Sequence, residues 1–150
     1  MHNEKAEDFI SMAEEDKLVM EESRHFGFRT ANSACFHAQQ YAEKMIKARL
    51  IIMGFQIVRT HNLIFLLEDF GSSPRIEKAR EYCQVLNRYE ARTRYPVEGK
   101  MDCSPEEAEE ACEMALEIPY LIGLYEEERA DRQMKSASRK RGLRGLFKKR

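Results

Sequence analysis

The chain predicts an all-α protein, an up-and-down bundle of four to five helices, on three observations. Glycine and proline are scarce, 7 and 4 in 150 residues, so few positions interrupt a helix. Apolar residues recur at steps of three and four along most of the sequence, and strand-like alternation is absent. Charged residues mixed with alanine, leucine, methionine and glutamate complete a helix-forming composition. At this length one domain can bury a core without disulfide or metal staples.

The elements follow in order. A first helix is expected from about Glu4 to Glu22, with Ala6, Phe9, Ile10, Ala13 and Met20 on one apolar face. Gly27 and the polar residues around Asn32 and Ser33 interrupt the pattern. A second helix then runs to about Met53, with Gly54 as its stop. It is apolar on two sides: Ala34, Cys35, Ala38, Tyr41, Ala42, Met45, Ile52 and Met53 on one, Phe36, Leu50 and Ile51 on the other. A helix of that kind is central, so its polar stripe is expected at a groove or a second subunit rather than in open water. Thr60 is expected to cap a short third helix from His61 to about Phe70, closed by Gly71. Ser73-Pro74 starts a fourth, with Ile76, Ala79, Cys83 and Leu86 as its face. Ala91 to Cys103 reads as a loop. Ser104-Pro105-Glu106-Glu107 is a capping box opening a long fifth helix, expected to kink at Pro119 and to pack as far as Tyr125. The bundle is expected over residues 1–134, with 135–150 as a disordered basic tail.

Composition narrows the setting. Four cysteines form no CxxC pair and share no metal-ligand spacing with the four histidines, so reduced thiols and no metal site are expected. The N-terminal MHNEKAEDF has no basic region followed by an apolar run, and no window approaches a membrane span. A soluble cytoplasmic protein is the expectation. The formal net charge of −1 conceals an asymmetry: eight lysines and arginines from Lys135 to Arg150 leave 17 basic against 26 acidic residues elsewhere, or −9.

Function is most legible in HAQQYAEKMIKARL, residues 37 to 50. His37, Gln40, Lys44 and Lys47 stack at steps of three and four, and a second histidine follows in Arg59-Thr60-His61-Asn62-Leu63. Lysines supply point charges to a phosphate and a histidine supplies a hydrogen bond. His61 at a helix start would add backbone N–H donors. Arg92 and Arg94 could complete the clamp, with Tyr95 stacking on a base. The competing reading makes Glu43, Lys44 and Lys47 surface salt bridges and both histidines structural hydrogen-bonders; for Tyr95 a lid over the core is favoured. Met12, Met20, Met45, Met53 and Met114 read as core filler.

Four features fall in an order that resembles the HEPN family. They are Ala13 and Asp16 on the first helix, the HAQQYAEKMIKARL helix, the Thr60-His61-x-Leu63 element, and Arg94-Tyr95-Pro96 after the fourth helix. The resemblance covers roughly residues 6 to 125. It implies a nucleotide- or RNA-binding interaction module that forms a homodimer. It also implies work with a nucleotidyltransferase-like partner in a toxin–antitoxin-type pair. Members that are metal-independent ribonucleases carry an arginine followed, after four to six residues, by a histidine. His25, His37 and His61 each lack such an arginine. No catalytic residue, cofactor or metal is therefore assigned. The site expected is His37, Lys44, Lys47 and His61, with Arg92 and Arg94 as further members. A ribonuclease acting through His37 or His61, or a purely structural partner subunit, stands as the alternative. The basic tail suits nucleic acid through counterion release, or serves to offset the acidic body.

Overall fold

Helix α1 (His2–Ser23) and helix α2 (Phe28–Ile52) form a hairpin whose direction is readable from its cross-contacts. Thr30 Oγ1 donates to the carbonyl of Ser23, His37 meets Asp16, and Ala48 and Ile51 pack with Ala6. Positions thus rise on one helix as they fall on the other, so the pair is antiparallel. The computed structural model describes residues 2–90 and 102–125. Arg92, Arg94, Tyr95, Pro96 and the basic tail lie outside the described residues.

Three further helices are described in full: α3 (Leu63–Leu67), running into a 3-10 turn at Glu68–Phe70, α4 (Pro74–Leu86) and α5 (Pro105–Leu121). Helix α5 runs parallel to α2, because Asn32 meets Asp102 and Cys103 at one end while Arg49 Nε donates to the carbonyl of Ile122 at the other. Helix α4 is antiparallel to α5: Arg75 bonds the carbonyl of Tyr120, and the Tyr89 hydroxyl meets Glu107. The result is an up-down-up-down bundle in which α3 spans the turn between the second and third long helices. No described helix is long and apolar enough to cross a membrane.

Helix α2 is central. Ala34, Cys35, Ala38, Tyr41, Ala42, Met45, Ile46 and Leu50 all join the main core, beside Ala13 and Met20 of α1 and Ala108, Ala111, Cys112, Ala115 and Ile118 of α5. Alanines at these facing positions let the helix axes approach closely, with methionine and leucine filling the remaining volume. All four cysteines are buried and unbridged.

The helix ends show where local signals prevail and where they do not. Ser104 and Glu107 form the expected capping box, and Ser73 caps α4 ahead of Pro74. Gly54 follows α2 at φ +90°, a conformation that L side chains rarely adopt. Other ends differ from expectation. Helix α2 starts at Phe28, so Asn32 and Ser33 lie inside it; the Asn32 side chain bonds Asp102 and the Cys103 N–H, which repays its low helix propensity. Asn62, not Thr60, caps α3, so His61 precedes the helix. Helix α5 ends at Leu121, and Gly123 at φ +80° turns the chain before Tyr125. Ile52 and Met53 are exposed at the end of α2, and Met12 is exposed midway along α1, on a face that no described helix covers. Met20 and Met45 are core, and Met114 packs against it.

Candidate functional site

The polar stripe of α2 is buried against its own neighbours. Two carboxylates organise it: Asp16 of α1, 6% exposed, and Glu43 of α2, 4% exposed. A buried carboxylate requires charge and hydrogen-bond partners, and each of these has two. Asp16 Oδ1 lies 2.7 Å from His37 Nδ1, and its Oδ2 accepts from Lys44 Nζ. Glu43 Oε1 lies 2.8 Å from His61 Nδ1, and its Oε2 accepts from Lys47 Nζ at 3.4 Å.

Helix geometry explains the division. His37 and Lys44 are seven residues apart, about two turns, so both project toward α1 and grip one aspartate. Glu43 sits about a third of a turn round, facing the segment that carries His61, with Lys47 one turn further along. Two glutamines also tie α2 to the segment that carries His61. Gln40 Nε2 donates to Gln39 Oε1 at 2.7 Å, and Gln39 Nε2 donates to the carbonyl of His61 at 3.3 Å. Gln39 is fully buried and satisfied in this way.

An ionised carboxylate only accepts hydrogen bonds, so Nδ1 carries the proton in both histidine pairs. Each neutral ring then presents Nε2 as a lone pair on its outer edge. The His61 side chain is 52% exposed and that of His37 25%. With neutral imidazoles the two clusters sum to zero charge, and protonation of both rings makes them doubly positive. The arrangement can therefore accept or hold a proton at either Nε2 and contact an anion there.

Of the six residues expected at the site, the structure places His37 with Lys44 on Asp16, and His61 with Lys47 on Glu43, in two clusters. Arg92 and Arg94 lie outside the described residues. The lysines are not free point charges, since each lies on a carboxylate. The expected Glu43–Lys47 pair exists, but it is buried rather than on the surface. Nor does α3 offer backbone donors beside His61. Leu63 N–H donates to Asn87 Oδ1 at 2.8 Å, and Ile64 and Phe65 N–H both donate to Asn62 Oδ1. Asp16 is the residue that sequence reasoning underuses. In the sequence it is one of several acids on α1, directly after Glu14 and Glu15, and only the hairpin register singles it out by bringing it to Lys44. Among the described residues no group of histidine, cysteine and acidic side chains could hold a metal ion.

Comparison with known proteins gives the family of the fold. The HEPN domain family matches residues 6–123. Among solved structures, the chain is similar to TT1696 from Thermus thermophilus at 30% identity and a TM-score of 0.67. That match covers 79% of this chain and 96% of the other. ST0689, an archaeal HEPN homologue, matches in fold at 24% identity and a TM-score of 0.64, covering 79% of this chain and 95% of the other. No curated protein matches. The family match spans most of the chain and nearly the whole described bundle, and the chain belongs to the HEPN domain family.

Proposed function

We propose that this protein is a nucleotide- or RNA-binding module whose contact groups are His37 and His61, supported by Lys44 and Lys47. Family membership supports a nucleotide- or RNA-related role at the coarse level. The observation that carries the finer reading is the paired arrangement: each histidine is fixed through Nδ1 on a buried carboxylate, with a lysine on the same carboxylate and Nε2 left outward. A phosphate at Nε2 favours the protonated ring, so binding and proton uptake are linked. Arg92 and Arg94 are proposed as further phosphate contacts. The partner proposed is a nucleotidyltransferase-like protein, in a toxin–antitoxin-type pair, with the module acting as a homodimer. Met12 and Val19 are exposed and share the α1 face of Asp16, which supports a covered surface beside the site.

The test is a titration of AMP, ATP and a short single-stranded RNA into wild type and the His37→Gln, His61→Gln double variant at pH 6 and pH 8. Expected is binding that is tighter at pH 6 and at least about tenfold weaker in the double variant. Wild-type affinity in the double variant would leave the network purely structural. A Lys44→Ala, Lys47→Ala variant is informative only where circular dichroism shows it folded, because it strips both buried carboxylates.

A second reading, metal-independent ribonuclease, is favoured by the same orientation, since a carboxylate-fixed imidazole with a free Nε2 suits general acid–base work on a 2′-hydroxyl. Cleavage of labelled single-stranded RNA that disappears in either histidine variant supports it. No cleavage at large enzyme excess removes it.

A further inference from the structure

A cavity of about 490 Å³ lies on the opposite side of α1 from Asp16, lined by Glu14, Lys17, Glu21, Tyr41, Leu116, Tyr120 and Tyr125. Its volume falls within the range of small-molecule sites. Tyr41 is 2% exposed, yet its hydroxyl makes no hydrogen bond among the described residues. The ring is held in the core while the hydroxyl oxygen stays open to the cavity, where it offers a fixed donor and acceptor to an occupant. Burial first, and then Tyr125, Glu14, Tyr120 and Glu21, hold the Tyr41 phenol well above its ordinary value. It therefore stays neutral, and the groups acting on it are those that line the cavity.

The lining has a definite polarity. Glu14 and Glu21 stand two turns apart on α1, and neither forms an ion pair among the described residues; nor does Lys17 between them. The formal balance is two carboxylates against one ammonium. Opposite them, Tyr120 and Tyr125 meet edge to face, with centroids 5.9 Å apart. Aromatic faces beside carboxylates attract cations and repel phosphates. We propose that this cavity binds an organic cation, an ammonium or guanidinium group on an alkyl chain. Its N–H groups donate to Tyr41 and to the carboxylates of Glu14 and Glu21, and its alkyl part lies against the tyrosine rings and Leu116. The group has two possible sources, a free alkylamine or a basic side chain of residues 135–150 in the same chain. Ten residues of extended chain reach about 33 Å, so the tail is within range of Tyr125.

Agmatine distinguishes these cases. The sequence has no tryptophan, so tyrosine emission reports directly on titration up to about 10 mM, with calorimetry as the second readout. The proteins are the full-length wild type and a full-length variant with all eight lysines and arginines of residues 135–150 changed to Gln. Each is tested alone and combined with Glu14→Gln, Glu21→Gln, or with Tyr41→Phe. Saturable binding is expected, weakened about tenfold or more by the paired Glu substitutions and less by Tyr41→Phe. Equal affinity with and without the tail substitutions identifies a free ligand, and tighter binding in the tail variant identifies the tail as competitor. No saturation in either protein overturns the proposal. So does binding that ignores both the Glu and the Tyr41 changes.

Discussion

Lys44→Met tests whether the polar stripe holds itself together. In the wild type, Asp16 is buried and its two oxygens are divided between His37 and Lys44. Methionine keeps the length of the lysine stem and removes its charge, so Asp16 loses its only full cation when His37 is neutral. Breaking a buried pair by removing one partner costs about 3–5 kcal/mol, because the other charge stays desolvated. The Lys44 side chain is 15% exposed, so some water reaches the site and the lower end applies, about 3 kcal/mol. For a domain of this size that lowers Tm by roughly 10 °C. Replacing both members, Asp16→Leu with Lys44→Met, removes the orphaned charge. His37 then turns its Nδ1 to solvent, and the double variant is expected within about 1 kcal/mol of wild type. Urea unfolding followed by circular dichroism measures the cycle. A loss below about 1 kcal/mol in Lys44→Met, or additive losses in the double variant, would refute the reasoning.

Other expectations follow from the same contacts. Burial pushes the Cys83 thiol up to about 12 and the Cys112 thiol up to about 11 from an ordinary 9.0. The folded state therefore holds protons that the unfolded chain releases. Stability is intact below pH 9 and falls as pH rises toward 12, by roughly 1 kcal/mol per pH unit for each thiol, which chemical denaturation at pH 8, 9.5 and 10.5 would detect. For the same reason a thiol reagent at pH 8 should label the four buried cysteines only as fast as the protein unfolds. Asn62→Ala removes the acceptor of the Ile64 and Phe65 N–H groups and of Asn87 Nδ2. It is expected to cost about 1–2 kcal/mol in urea unfolding, whereas Thr60→Ala, which loses a single bond to the Asn62 N–H, should cost well under 1 kcal/mol. Ser104→Ala breaks the capping box of α5 and should cost about 1 kcal/mol, read in the same way.

The bundle is legible because its signals are local and repeated. Ala34, Ala38, Ala42 and Met45 declare a buried face whatever they pack against, and Ser104 with Glu107 marks a helix start through groups three residues apart. The α3 cap differs from expectation because Thr60 and Asn62 are both good caps. The choice between them depends on Asn87, 25 residues away, which joins Asn62 and takes the Leu63 N–H. Ile52, Met53 and Met12 read as core but lie exposed, because periodicity gives the face of a helix but not how far or on which side a neighbour covers it.

The site divides in the same way. Sequence alone set His37, Lys44 and Lys47 on one helix and His61 shortly after it, through helical spacing and the loop that follows. Only the tertiary structure decided what they face. Asp16 is 28 residues from Lys44, and the antiparallel register of α1 and α2 brings them into contact. That pairing, together with Glu43 meeting Lys47 and His61, changes an apparently open basic stripe into two buried carboxylate clusters with imidazole edges outward. Likewise the Tyr41 cavity exists only because α1, α2 and α5 converge around it. Hydrophobic period and capping act over a few residues and can be read from a string; charge pairing and enclosure act through space, and depend on which helices come to lie side by side.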